Sequence, residues 1–185
     1  DGQDGDQNGI FGQRYAANGT KVGNEFQVNT FTTGNQENPD VAMDADGDFV
    51  VVWESYYQDG DGRGVFGQRF NTTTTVGTEF QVNTYTNFSQ ERPSVAMNDN
   101  GDFVVVWQSD QQDGDNSGIY GQRFNSTTTV GVEFPVNTYT TYDQWEPSVA
   151  MDAGGDFVVV WQSRYQDPGG TDGIYAQRFN TTTTT

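Results

Sequence analysis

An all-β fold follows from three features of this sequence. The 185 residues include no Leu, one Lys (Lys21) and few Ala, so the usual builders of amphipathic helices are scarce. Val, Phe, Tyr, Trp and Thr, which suit a pleated surface, take their place. The chain is also a repeat: Trp53, Trp107 and Trp161 stand 54 residues apart, and their surroundings align.

Each unit supplies four strand-like runs of about five to seven residues bounded by turn residues. The first is Gly-Gln-Arg-aromatic, at residues 12–15, 67–70 and 121–124, with Ala176 replacing the Gly in a fourth copy at 176–179. The second, Glu-Phe-Gln-Val-Asn-Thr, occupies 25–30, 79–84 and 133–138, where Pro135 replaces the Gln. Phe26 and Val28 alternate there with Gln27 and Asn29, the period of a half-buried strand. The third run carries Val-Ala-Met at 41–43, 95–97 and 149–151. The fourth, Asp-Phe-Val-Val-Val-Trp, lies at 48–53, 102–107 and 156–161. Its apolar residues occupy both parities, Phe49, Val51 and Trp53 against Val50 and Val52, so the strand must be covered on both faces.

Four short strands repeating at this period, with the most apolar one buried on both sides, describe a propeller blade. The expected architecture is a propeller-like array of four-stranded antiparallel blades. Its units are residues 1–53, 54–107 and 108–161, with a partial fourth at 162–185. Closed propellers typically use four to eight blades, so about three and a half need completion by neighbouring chains or by a longer parent chain. The start at Asp1 suits a processed chain or part of something longer.

Charge and composition limit the chemistry. Without Cys there is no thiolate nucleophile or zinc-finger spacing, and without His the commonest general base and metal ligand is missing. Against 26 acidic residues stand 8 basic ones, a net charge of −18, which repels nucleic acid and anionic lipid and favours divalent cations. No apolar run approaches the roughly 18–20 residues of a membrane-spanning helix, so membrane insertion is not expected.

The segment Pro-Ser-Val-Ala-Met-Asp-Ala-Gly-Gly-Asp-Phe-Val-Val-Val-Trp-Gln-Ser at 147–163 represents the repeat, together with Gln-Asp-Gly-Asp at 112–115 and Gly-Ile-Tyr-Gly-Gln-Arg-Phe at 118–124. It resembles tandem repeats of large secreted bacterial proteins, often adhesin-like and often beside calcium-binding modules. The Asp-Ala-Asp-Gly-Asp stretch at 44–48 is similar to the loop of FG-GAP repeats, which form calcium-binding propellers. The resemblance implies an extracellular or cell-surface, repetitive β-structure stabilised by Ca²⁺.

Four sets of residues are candidate sites. The loop after each Trp strand carries paired carboxylates, Asp4 and Asp6, Asp59 and Asp61, Asp113 and Asp115, and Asp167 and Asp172. On a Gly-rich backbone such pairs can converge on Ca²⁺, or they can serve as acidic surface turns. The hairpin residues Asp44, Asp46, Asp48, Asp102 and Asp156 are weaker metal candidates, because Asp46 becomes Asn100 and then Gly154 while the turn Gly persists. Asn71, Asn125, Asn180, Asn18 and Asn87 stand in Asn-x-Ser/Thr patterns, open to glycosylation or to a plain polar connection. Arg14, Arg69, Arg123 and Arg178 recur in every copy and are expected to form structural ion pairs with Glu25, Glu79 and Glu133.

The expected function is a non-enzymatic structural or adhesive glycoprotein, assembling head-to-tail with copies of itself into a filament or surface array through its incomplete end blades. The alternative is a carbohydrate-binding propeller whose aromatics Tyr56, Tyr57, Tyr142, Trp145 and Tyr165 stack on sugar rings. A glycosidase is set aside, because the acidic residues recur in each unit instead of forming one defined pair.

Overall fold

The computed structural model describes residues 2–181, which contain thirteen strands in four antiparallel sheets and no helix long and apolar enough to cross a membrane. The first sheet pairs β1 (Phe11–Tyr15) with β2 (Lys21–Gln27). The second runs in order through β3 (Gln36–Met43), β4 (Phe49–Tyr56), β5 (Arg63–Phe70) and β6 (Thr75–Gln81). The third holds β7 (Gln90–Met97), β8 (Phe103–Asp110), β9 (Ser117–Phe124) and β10 (Thr129–Pro135) in the same order. The last contains β11 (Gln144–Met151), β12 (Phe157–Ser163) and β13 (Gly173–Phe179). These are the blades of a propeller-type array, as the repeat predicts. The end of the Thr run, at 182–185, lies outside the described residues, as does Asp1.

Each blade opens with the third run of one sequence unit and closes with the second run of the next. The β3–β6 sheet therefore draws on both 1–53 and 54–107. The phase leaves β1–β2 as the outer two strands of a blade, and β11–β13 as the inner three.

Hydrophobic burial on both faces of the Val-rich strands joins the blades. Val50, Val52, Val65 and Val82 pack against Val95, Phe103, Val105, Trp107, Tyr120 and Phe124 of the following sheet. The same positions one repeat on, Val104, Val106, Ile119, Phe134 and Val136, pack against Phe157, Val159, Trp161 and Phe179. At the front, Ile10 and Val28 cover Phe49, Val51, Trp53, Phe66 and Phe70. Each fully buried Val or Phe contributes about 1.5–3 kcal/mol, so these three cores hold the array together.

Polar staples fix where one blade ends and the next begins. Asn83, just after β6, donates from Nδ2 to Gln90 Oε1 at the head of β7 (3.0 Å) and to the Tyr85 carbonyl (2.8 Å), while its Oδ1 accepts from Val65 N–H (2.8 Å). Gln90, fully buried, donates from Nε2 to the Asn87 carbonyl (3.0 Å). Asn29 with Gln36 and Asn137 with Gln144 repeat the arrangement. A buried amide is tolerated only when its hydrogen bonds are made, and here both amides are used.

Candidate functional site between the last two blades

The blades have two different ends. At the lower end lie the β3–β4, β7–β8 and β11–β12 hairpins and the Thr-rich connections. At the upper end lie the acidic loops, the linkers between blades and the first residues of each inner strand.

The lower end repeats almost unchanged. Asp44 Oδ1 accepts from the N–H groups of Asp46 and Asp48 (3.0 and 2.9 Å), Asn98 does the same for Asn100 and Asp102, and Asp152 for Gly154 and Asp156. The turn Gly47, Gly101 and Gly155 have φ of 88°, 79° and 88°, a conformation that favours Gly. Asn71 and Asn125 cap their own connections, each accepting from Thr N–H and Thr Oγ1 two residues on, as does Asn18 from Thr20. That hydroxyl donation gives the Asn-x-Thr pattern a structural role. Asn87 is exposed, and its carbonyl accepts from Gln90. The Asn180 carbonyl accepts from Arg123.

The recurring arginines do not pair with Glu25, Glu79 and Glu133. Glu79 is already engaged, accepting from Gln58 Nε2 (2.5 Å) and from Thr30 N–H and Oγ1 (2.6 and 2.9 Å), and Glu133 is held likewise by Gln112 and Thr84. Glu25 accepts from Gln3 Nε2 (2.5 Å). The guanidinium groups instead cover aromatic rings between blades: Arg14 over Phe26 and Phe49, Arg69 over Phe80 and Phe103 (4.3 and 5.1 Å), Arg123 over Phe134 and Phe157. Arg14 also donates to the carbonyls of Asn71 and Thr72. Burial lowers the pKa of Arg69 and Arg123. Of the four, only Arg178 forms an ion pair among the described residues, with Asp156 at 3.4 Å.

The acidic-loop carboxylates diverge. Asp59 Oδ2 accepts from Asn83 Nδ2 (3.2 Å) and Asp4 Oδ2 from Asn29 Nδ2 (3.3 Å), both turned toward their own blade. Asp61, Asp115 and Asp6 point the other way, their Oδ2 atoms accepting from the N–H of Phe88, Tyr142 and Gly34 in the linkers (3.0, 2.9 and 2.9 Å). In the fourth loop Asp167 accepts from Tyr175 Oη (2.6 Å) and Asp172 from Tyr165 N–H (3.3 Å). Among the described residues no three acidic side chains converge as a metal-binding group. Desolvation raises the pKa of Asp59 and Asp113.

The upper openings between blades are where the units differ. Equivalent positions hold Glu37, Glu91 and Trp145; Asn38, Arg92 and Glu146; Glu54, Gln108 and Gln162; and Tyr56, Asp110 and Arg164. A bulge near the start of each inner strand, with φ of 50°, 52° and 52° at Asn38, Arg92 and Glu146, interrupts the pairing there. Bulges of this kind re-aim side chains.

The opening between the second and third blades is closed by its own charges. Arg63 reaches Glu54 (3.3 Å) and Glu91 (2.7 Å), and Glu54 also accepts from Arg92 N–H (3.0 Å). In front of it, Asn8 Nδ2 donates to Glu37 (2.9 Å). The opening between the β7–β10 and β11–β13 sheets is different. It is a cavity of about 400 Å³ lined by Trp145, Gln108, Arg92, Asp143, Arg164 and Asp172, together with Glu91 and Ser117. Trp145 is half-buried. Arg164 is oriented by Asp143 (2.9 Å), Arg92 by Glu146 (2.5 Å) and Ser117 by Asp110 (2.7 Å). Gln108 donates weakly to Ser117 Oγ (3.5 Å), while its Oε1 is buried with no partner among the described residues. An indole face beside oriented guanidinium, carboxylate and amide groups can take a ligand with an apolar face and hydroxyls at its rim.

The sequence singled out Trp145 and Asp172 but not Gln108, Arg92, Asp143 or Arg164. Their signal was available in the departures between otherwise matching repeats.

No model of a known protein family matches the chain, and no curated protein matches it. Solved structures share its fold at low identity. An endo-arabinase from Bacteroides thetaiotaomicron has a TM-score of 0.50 and 15% identity over 79% of this chain and 57% of its own. A protein of unknown function from Dyadobacter fermentans has 0.54 and 15%, covering 82% and 40%. An endo-1,4-β-xylanase from B. thetaiotaomicron has 0.50 and 11%, covering 80% and 60%. The chain thus spans 40–60% of the length of these structures. The expectation of a non-enzymatic protein is corrected by this likeness. Propeller blades of this kind occur in glycoside hydrolases, so repetition of the blade is no ground for excluding catalysis.

Proposed function

We propose that this chain is a carbohydrate-binding propeller module, with its glycan site in the cavity between the last two blades. One observation carries the reading: the upper openings share one backbone plan, yet only this one, among the described residues, sets an aromatic platform, Trp145, beside the oriented Arg164–Asp143 and Arg92–Glu146 pairs in an open cavity. A sugar's apolar C–H face stacks on the indole, with the Gln108 side chain forming part of the wall beside it. Arg164 and Asp143, already held to each other, present both a donor and an acceptor to neighbouring hydroxyls. The likeness in fold to an arabinase and a xylanase makes arabino- and xylo-oligosaccharides the first probes. This reading takes the place of the adhesive filament as the leading function.

The test is calorimetric titration of the chain with those oligosaccharides, with release of reducing ends followed in parallel. Trp145→Ala is expected to weaken binding at least ~10-fold, about 1.4 kcal/mol, with an unchanged melting temperature. Gln108→Ala is expected to weaken it as well. Binding that survives both substitutions places the ligand elsewhere, and absence of binding across a glycan array rejects the reading.

A further inference from the structure

The two ends of the array are complementary. At the front, β1 pairs only with β2 among the described residues, so its inner edge carries backbone groups with no strand partner there. Beside that edge opens a groove of about 600 Å³, floored by Phe49 and Val51 and walled by Ile10, Val41 and Met43. Val41 is 56% exposed, whereas Val95, its counterpart one blade on, is 6% exposed under the preceding sheet. At the back, Val158 and Val160 are each 38% exposed, while the matching Val104 and Val106 are fully buried against the next blade. Among the described residues no inner strand pair lies over the groove, and the β11–β12 pair at the back has one face uncovered.

We propose that a second copy of this chain fills the groove with its β11–β12 hairpin, making a composite blade in the order β11, β12, then β1 and β2 of the neighbour. The partner that β1 requires is set by the intact blades: Gly67 lies opposite Val52 and Gly121 opposite Val106, so Gly12 takes Val160. Val158 and Val160 then cover Val41 and Val51 as Val104 and Val106 cover the next sheet inside the chain.

Of the three Val-rich strands, β12 is the one whose outer neighbour has no further strand beyond it among the described residues. Taking β1 therefore requires the β12–β13 ladder to open and Phe179 to leave its core, where Tyr15 of the neighbour's β1 takes the matching position. β4 and β8 are enclosed within four-stranded sheets, but β13 is the last strand of a three-stranded one. In β5 and β9 the Gly opposite the central Val lies under a fourth-strand ring: a Cβ on Gly67 or Gly121 would meet the Cζ of Phe80 or Phe134 at 2.8 Å. Gly12 makes the same room for Phe26 (2.7 Å), whereas β13 carries Ala176 at that position. β13 is therefore poorly suited to receive a fourth strand of the usual kind, while β1 brings one already paired. Exchanging β13 for β1 conserves the ladder along β12 and adds an outer strand. The contact joins unlike surfaces, so it propagates head-to-tail into a ring or an open chain.

The experiment measures mass in solution by light scattering on the 185-residue chain. The wild type is expected to form particles of several chains. Val41→Glu blocks the groove and Val160→Glu blocks the hairpin, both at exposed positions, so each variant alone is expected to be a folded monomer. An equimolar mixture is expected to give a dimer, because each variant retains the end the other has lost. The chain has no Cys, so Arg14→Cys combined with Val158→Cys should form interchain disulfides on oxidation, those positions facing each other in the composite blade as Arg123 and Val104 do in β9 and β8. A monomeric wild type, association that survives either single block, or a mixture that stays monomeric overturns the proposal. Loss of glycan binding has no bearing on these masses, so this inference stands or falls apart from the proposed function.

Discussion

Asp113 shows at one residue how the acidic loops are balanced. Its Oδ1 accepts from Asp115 N–H (3.3 Å), but its Oδ2 is buried without a partner among the described residues, and desolvation raises its pKa. A carboxyl raised in the folded state holds a proton there that the unfolded chain has already released. Stability from this group is therefore fully present below the unfolded value and is lost as pH rises through the folded one. Asp113→Asn is expected to be the more stable form at neutral pH and to lose this decline. Denaturant melts of both proteins between about pH 3.5 and pH 7 check it, and a difference independent of pH refutes the burial explanation. The sequence marked Asp113 by its spacing, but the direction in which the carboxylate turns was not legible. That depends on Gly118, which leaves room for it in the adjoining strand.

At the level of the element, the Val-rich strands could be read directly, since apolar residues on both parities require two covered faces and β8 is buried from Phe103 to Trp107. The phase of the blade could not. Each of the three larger sheets starts at a buried Gln, Gln36, Gln90 or Gln144, and an isolated polar residue gives no hint that a linker Asn will satisfy it. Nor could sequence assign the repeated Arg and Glu to separate partners, because Glu79 reaches the preceding linker at Thr30 while Arg69 reaches the rings of the next blade. The repeated Gly of the third strands gains its meaning only from the ring above it. Gly121→Ala is expected to cost about 1–3 kcal/mol through overpacking against Phe134, whereas Ala176→Gly, with no such ring to meet, costs about 0.5–1 kcal/mol of strand entropy. Paired chemical melts measure both, and equal losses contradict the packing argument.

Across the whole molecule, a net charge of −18 sits on a chain whose joints are apolar and amide-rich. Self-repulsion opposes compaction and is screened by salt, so raising NaCl from about 0.02 M to about 0.5 M is expected to raise the melting temperature. A flat response shows that the charges are already balanced locally. The candidate site belongs to this scale as well. Trp145 was visible as an aromatic where the repeats differ, though it stands in strand β11 and not in a loop. Gln108, Arg164 and Asp143 come from different strands and linkers, and only the packing of two blades brings them together.

The staple from Asn83 to Gln90 and its two repeats join each blade only to its neighbour. Pulled from its two termini, such an array has no long-range tie to break at once, so it should yield in a sawtooth, one blade after another. Each full step should lengthen the tether by the contour of one 54-residue unit, close to 190 Å less the span of the folded blade. An optical-trap trace that opens in a single rip would mean that the blades resist load as one body.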